Sequence, residues 1–139
     1  MKLLLNAQGS FGDFRPLLTL AKGLKARGHQ VTLCAPPDFE GLCSSSGIPY
    51  RRLGPEIARI IEKYAPEIAT PLDGALFLSR TFLKETLSQY FEQLLPLAEG
   101  SDMLIGSGID FSGGSIAERA CIPYRFVAFS PVAFASSQH

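Results

Sequence analysis

Residues 2–35 read KLLLNAQGSFGDFRPLLTLAKGLKARGHQVTLCA, and the order of patterns along this stretch decides the fold. Residues 2–7 form a short apolar run that ends in a glycine-containing turn, as a buried parallel strand opening an α/β domain does. From Pro16 to Arg27 apolar side chains recur at helical spacing, at Leu17, Leu18, Leu20, Ala21 and Leu24. Pro16 falls in the first turn of this expected helix, where its missing N–H is tolerated, and Gly28 stands where a left-handed C-cap is wanted. Residues 30–35 turn Val31 and Leu33 inward as a second strand, closing a β-α-β unit with its right-handed crossover.

The alternation continues outward from this unit. Pro36-Pro37 stops the second strand, Asp38–Ser46 predicts a second helix ending at Gly47, and residues 48–53 predict a third strand. Residues 55–72 are broken by Pro55, Pro66 and Pro71, which predicts a short helix around Ile57–Tyr64 and then an irregular loop. The longest helical pattern runs from Asp73, a suitable N-cap, to about Leu95, with Leu76, Leu83, Leu87, Tyr90 and Leu94 on one face. Residues 102–105 form a fourth strand entering the glycine-rich GSGIDFSGG of residues 106–114; a helix over 115–120 and a strand over 124–129 follow. Five strands alternating with helices predict an α/β fold with a doubly wound, Rossmann-like parallel sheet in the order 3-2-1-4-5.

At 139 residues and 46% hydrophobic, the chain suits one packed domain. Thirteen basic residues balance 13 acidic ones, so no charge excess calls for nucleic acid, and Lys22, Lys25 and Arg27 read as a solvated helix face. Cys34, Cys43 and Cys121 form no CxxC pair and no metal-ligand spacing; they read as buried or reduced thiols, and no metal is expected. The apolar run behind Met1-Lys2 is too short for a signal-peptide core or a membrane span, so a cytoplasmic location is expected.

In an open parallel sheet the ligand crevice lies at the carboxyl ends of the strands where their order reverses, here between strands one and four. The stretches 8–15 and 106–114 should therefore face each other. Gly9 and Gly12 beside a helix start allow close backbone approach, yet G-S-F-G is not G-x-G-x-x-G, no acidic residue ends the second strand, and no phosphate-loop motif occurs. A nicotinamide site is not expected. Asp13 reads both as an N-cap carboxylate and as a general base at the crevice mouth. Asp110 reads as a loop or cap residue and as a second carboxylate approaching the crevice. Ser10, Ser107 and Ser112 can bond a ligand hydroxyl or the local backbone. Gly106, Gly108, Gly113 and Gly114 permit either close packing or phosphate approach. Phe77, Phe82, Phe91 and Phe111 are core candidates, and His29, on the edge away from the crevice, has a structural or surface role. No G-x-S-x-G nucleophile elbow is present.

Gly9-Ser10-Phe11-Gly12-Asp13-Phe14-Arg15-Pro16, followed by Leu17–Ala21 and Lys25-Ala26-Arg27-Gly28-His29-Gln30-Val31-Thr32-Leu33, resembles the start of the glycosyltransferase family 28 N-terminal domain. Ala35-Pro36-Pro37-Asp38-Phe39, Gly47-Ile48-Pro49-Tyr50 and Leu53-Gly54 resemble that family's second turn and third strand. The commonest family motif, Gly-Ser-Arg-Gly-Asp-Val-x-Pro, is altered here by Phe11 for Arg, which removes a cation near the cleft, and by Phe14 for Val. The resemblance implies the N-terminal, acceptor-binding half of a GT-B enzyme over residues 1–139, shortened and without its donor-binding domain. It implies an inverting, nucleotide-sugar-dependent transfer of a hexose to a hydroxyl of a lipophilic sterol, lipid or natural product. Asp13 matches the family's general-base aspartate, and Ser10, Phe11, Gly12, Asp110 and Phe111 are the expected acceptor contacts. The apolar excess of the proline-broken stretch fits a lipophilic acceptor. No cofactor is implied; the co-substrate is a nucleotide-sugar such as a UDP-sugar, held mainly by a donor-binding domain or chain. A lipid acceptor adds peripheral membrane contact to the implied partners. Two rival readings stand beside this one: a noncatalytic α/β binding or assembly module acting with a partner chain, and a small nucleotide-binding oxidoreductase.

Overall fold

Strand β1 (Lys2–Gln8) lies in the middle of the sheet, and its alternating side chains build a core on each face. The computed structural model describes residues 1–68 and 74–129. Leu3, Leu5 and Ala7 point to one face, where helix α1 (Phe11–Ala26) covers them with Phe14, Leu17, Leu18 and Ala21. Leu4 points to the other, against Tyr90, Leu94 and Ala98 of α5 (Gly74–Glu99) and Ile116 and Ala117 of α6 (Gly113–Arg119). Each fully buried leucine contributes about 1.5–3 kcal/mol, so a central strand apolar on both faces anchors both helical layers at once.

The sheet is parallel throughout, in the order β3-β2-β1-β4-β5, as expected from the sequence. Its other strands are β2 (Gln30–Ala35), β3 (Tyr50–Arg52), β4 (Met103–Gly108) and β5 (Tyr124–Val127). Leu5 pairs with Leu33 on one side and Ile105 on the other, so the order reverses at β1 and a crevice opens where β1 and β4 end. Three short helices, α2 (Glu40–Ser46), α3 (Ile57–Lys63) and α4 (Ala65–Ile68), fill the connections around β3.

Several boundaries differ from the pattern-based expectation. Helix α1 starts at Phe11, ahead of Pro16, so Phe11–Arg15 are helical and Pro16 sits inside the helix. The proline removes the donor that would meet the Gly12 carbonyl, at an exposed end of the helix. The second helix opens as a 3-10 turn, Pro37–Phe39, because the proline pair suits a tight first turn. Part of the loop expected after Tyr64 is the single-turn helix α4. Strand β4 continues to Gly108 because Asn6, Ala7 and Gln8 remain available as partners on β1. The expected N-cap Asp73, and the side chains of Leu76 and Phe82, lie outside the described residues.

Cys34 and Cys43 are free and buried, and burial pushes their thiols up to about 12 and about 11. Cys121 is free but exposed, at a left-handed position just past α6. Among the described residues no helix is long and apolar enough to cross a membrane.

Two glycines provide a matched test of this packing. A Cβ on Gly108 would lie 1.7 Å from the Gln8 carbonyl oxygen, at a φ of +69°. Gly23, exposed on α1, has no neighbouring atom within 4 Å of such a Cβ. Gly108→Ala is expected to lower unfolding stability by at least about 2 kcal/mol. Gly23→Ala is expected to raise it by about 0.5–1 kcal/mol, both read from urea midpoints at unchanged slope.

Candidate functional site

The turn from β1 into α1 is built around one carboxylate. Ser10 is the N-cap: its Oγ accepts the Gly12 N–H at 3.2 Å, and Asp13 reaches back so that its Oδ2 accepts the Ser10 N–H at 2.9 Å. The Ser10 hydroxyl donates to the same Oδ2 at 3.0 Å. This is a capping box with aspartate in the usual glutamate position, and it explains why the helix starts ahead of Pro16. Asp13 is thus not the N-cap but the third residue of the helix. A Cβ on Gly9, at φ +119°, would lie 2.5 Å from Asp13 Oδ2, so glycine is needed for the carboxylate to fold over the turn. Among the described residues, Asp13 Oδ1 accepts no hydrogen bond.

Beside this turn opens an apolar cavity of about 430 Å³. It is lined by Ser10, Phe11 and Asp13 of the turn, by Asp38 and Phe39 after β2, and by Ile57, Ile60 and Ile61 of α3. Phe39 stacks on Phe14 at 4.2 Å between ring centroids and takes the edge of Phe11 at 4.9 Å. Phe11, 52% exposed, leaves a free aromatic surface, and the Arg15 guanidinium lies over its ring at 5.7 Å. A cation therefore remains beside the turn despite Phe11. Helix α3 is tied down by Asp38, whose carboxylate accepts the Ile57 N–H at 2.8 Å and the Ala58 N–H at 3.0 Å. These are unpaired donors of the first turn of α3, met by a residue on the far side of β3.

The glycine-rich stretch serves a different carboxylate. Asp110 Oδ1 accepts the Gly113 N–H at 2.8 Å, and Oδ2 accepts the Tyr124 hydroxyl at 3.1 Å. Any Cβ on Gly106 or Gly113 would lie 2.1 or 2.2 Å from Asp110 Oδ2. The two glycines make the seat of this side chain, which ties β4 to α6 and β5. Burial pushes the Asp110 carboxyl above its ordinary range; the Gly113 N–H, the Asn6 amide, the Tyr124 hydroxyl and the Ser112 N–H each draw it back less. The Asn6 Nδ2 stands close to the carboxylate but short of hydrogen-bond geometry. Burial first, and then the Asp110 charge, push the hydroxyls of Tyr90 and Tyr124 up, keeping both as donors. Tyr90 donates to Gln8 Oε1, and Gln8 donates to Asn6 at 2.8 Å.

The two glycine-containing stretches do meet: the position of a Gly108 Cβ lies 3.1 Å from Asp13 Cβ. Ser10, Phe11 and Asp13 come together on the large cavity, whereas Gly12 spends its N–H on the cap and does not line it. Asp110 and Phe111 line a second, small cavity with Ser112. Phe111, a core candidate by sequence, is 55% exposed, because the turn around Asp110 carries it outward. Ser107 is buried with no partner for its Oγ among the described residues. Phe77 meets the Tyr64 ring edge-on at 5.5 Å, and Phe91 packs against the α5 core. Sequence reasoning missed Asp38 and the isoleucines of α3 as cavity walls. The available signal was the carboxyl-end rule itself, since Pro36-Pro37 ends β2 on the crevice side.

The parallel sheet with its order reversed at β1 has the fold of the N-terminal half of a GT-B glycosyltransferase, with an apolar pocket and a carboxylate at the strand ends. The chain belongs to the glycosyltransferase family 28 N-terminal domain family, whose sequence pattern matches residues 3–135. It is 35% identical over 134 residues to glycosyltransferase GtfE of Amycolatopsis orientalis, covering 94% of this chain and 31% of that protein. It is 30% identical over 155 residues to a sterol 3-beta-glucosyltransferase of Cryptococcus neoformans, covering 100% of this chain and 9% of that protein. The fold matches the Streptomyces sp. SF2575 glycosyltransferase SsfS6, solved complexed with thymidine diphosphate. The TM-score is 0.69 at 20% identity, over 92% of this chain and 38% of that one. The chain therefore spans about a third or less of the length of these relatives.

The raised Asp110 carboxyl gives a pH prediction with a definite sign. Between the ordinary carboxyl pKa, about 4, and the higher folded value, the folded state holds more proton than the unfolded one, so stability falls as pH rises through that interval. Asp110→Asn removes this titration. The stability of wild type minus that of Asp110→Asn should fall from about pH 4 upward and then level off, read from thermal melts of both proteins across pH.

Proposed function

We propose that this chain is the acceptor-binding half of an inverting glycosyltransferase that moves a hexose from a nucleotide-sugar to a hydroxyl of a lipophilic small molecule. The observation that carries this reading is Asp13, a carboxylate on the wall of a largely apolar cavity, held at one oxygen by the cap and free at the other. The apolar body of an acceptor fills the space between Phe39 and α3, with Phe11 offering ring surface. Its hydroxyl is directed to Asp13, with Ser10 beside it. Asp13 Oδ1 takes the hydroxyl proton as the acceptor oxygen bonds to the anomeric carbon. The bond from that carbon to the diphosphate breaks on the opposite face, and the nucleotide leaves with the electron pair. One displacement of this kind inverts the anomeric configuration. The general base typically contributes on the order of 10²–10⁴-fold.

The nucleotide-sugar, a UDP-sugar in our reading, is held mainly by a donor-binding domain or chain outside residues 1–139. The thymidine diphosphate complex of SsfS6 supports a nucleoside diphosphate as leaving group. GtfE and the sterol glucosyltransferase support the sugar-transfer reading. Calorimetry of the 139-residue chain with UDP-glucose should show no low-micromolar binding. Such binding would overturn the division of roles.

In an active enzyme carrying this chain as its N-terminal half, Asp13→Asn should lower kcat by on the order of 10²–10⁴-fold with KM little changed. The Asn oxygen can still accept the Ser10 N–H, so stability should change by less than about 1 kcal/mol. A loss of turnover under about tenfold, with the fold intact, would leave Asp13 only its capping role.

A further inference from the structure

We propose that Ile109 tunes the relative preference for short and long acceptors, as the partition between the main pocket and a second, water-sized chamber; this rests on the acceptor reading above. Ile109 lines both the 430 Å³ cavity and the small one, and among the described residues no other lines both. The small cavity, about 10 Å³, has room for about one water and lies against Leu83, Leu87, Tyr90 and Phe111. On one side of Ile109 the walls are Phe39 and α3; on the other they are α5 and Phe111.

The partition cannot slide, because its backbone is held at both ends. The Ile109 N–H donates to the Gln8 carbonyl at 3.2 Å, and its carbonyl accepts the Phe111 N–H at 3.0 Å. The preceding Gly108 rests directly on the Gln8 carbonyl. Side-chain volume at position 109 is therefore the variable that decides whether the two spaces join. Cutting the side chain back to Cβ connects the pocket to the chamber beneath Leu87 and Phe111, which are 42% and 55% exposed and present uncovered apolar surface. An aromatic ring at 109 closes the pocket further.

The test is fluorescence titration of the 139-residue chain with 2-naphthol and 1-hydroxypyrene, a short and a long fused-ring alcohol. Ile109→Ala should tighten 1-hydroxypyrene relative to 2-naphthol by about tenfold or more, and Ile109→Phe should move the ratio the other way. Thermal melts establish that each variant is folded; if Ile109→Ala is not, Ile109→Val should show a smaller shift of the same sign. Ile61→Asp, on α3, should weaken both probes without changing their ratio. A ratio unmoved by the Ile109 variants, moved the same way by Ala and Phe, or tight binding that ignores Ile61→Asp, overturns the partition while leaving the Asp13 chemistry standing. Absence of saturable binding of either probe to wild type and every variant overturns the acceptor pocket itself, and the partition with it.

Discussion

The ends of β1 and β4 meet backbone to backbone, and the rest of the crevice depends on that contact. Gly108 has no side chain to hold the strands apart; any Cβ there would lie 1.7 Å from the Gln8 carbonyl and 3.1 Å from Asp13 Cβ. The contact brings the capping turn of α1 and the stretch after β4, more than ninety residues away, to the same edge of the sheet. It also directs Ile109 across the floor between two cavities. A wider separation would remove both the pocket wall and the seat beneath Asp13.

Three carboxylates gather near this edge, and their surroundings assign them different work. Both oxygens of Asp110 are taken, by the Gly113 N–H and the Tyr124 hydroxyl, and burial disfavours its charge. Asp38 is exposed but spends both oxygens on the first turn of α3. Asp13 spends one oxygen on the Ser10 cap and keeps the other unbonded, on a side chain that borders an apolar cavity. Among the three, Asp13 is the carboxylate with one oxygen that accepts no hydrogen bond among the described residues, the feature on which the proposed general-base role rests. Capping and the proposed proton transfer are compatible because they would use different oxygens of one group.

The aromatic turn shows how sequence and packing share a task. Phe14 and Phe39 come from different elements and stack at 4.2 Å, which sets the height at which Phe11 meets Phe39 edge-on. Phe14 is fully buried under the sheet whereas Phe11 is half exposed, three residues earlier on the same helix. The same residue type therefore serves as core in one place and as pocket rim in the other.

The parallel α/β class was legible from residue patterns alone, because strand and helix periodicities are local, and the order 3-2-1-4-5 is a usual one for a doubly wound sheet with helices on both faces. The meeting of the 8–15 and 106–114 stretches was legible for the same reason. The start of α1 was written in Ser10-x-x-Asp13 but was outweighed by Pro16, whose usual first-turn position suggested a later start. Asp38 and the isoleucines of α3 could not be assigned to the pocket, since a carboxylate capping a helix nineteen residues ahead leaves no periodic trace. Nor could the function of the glycines: a glycine that makes room for Asp110 reads the same as one that makes room for a phosphate, because both lack a Cβ and differ only in what fills the space. Sequence determined which elements form and in what order they lie. Tertiary structure decided which carboxylate oxygen stays open and which side chain divides the cavity, because hydrogen-bond satisfaction and volume depend on distant neighbours that only the folded chain brings together.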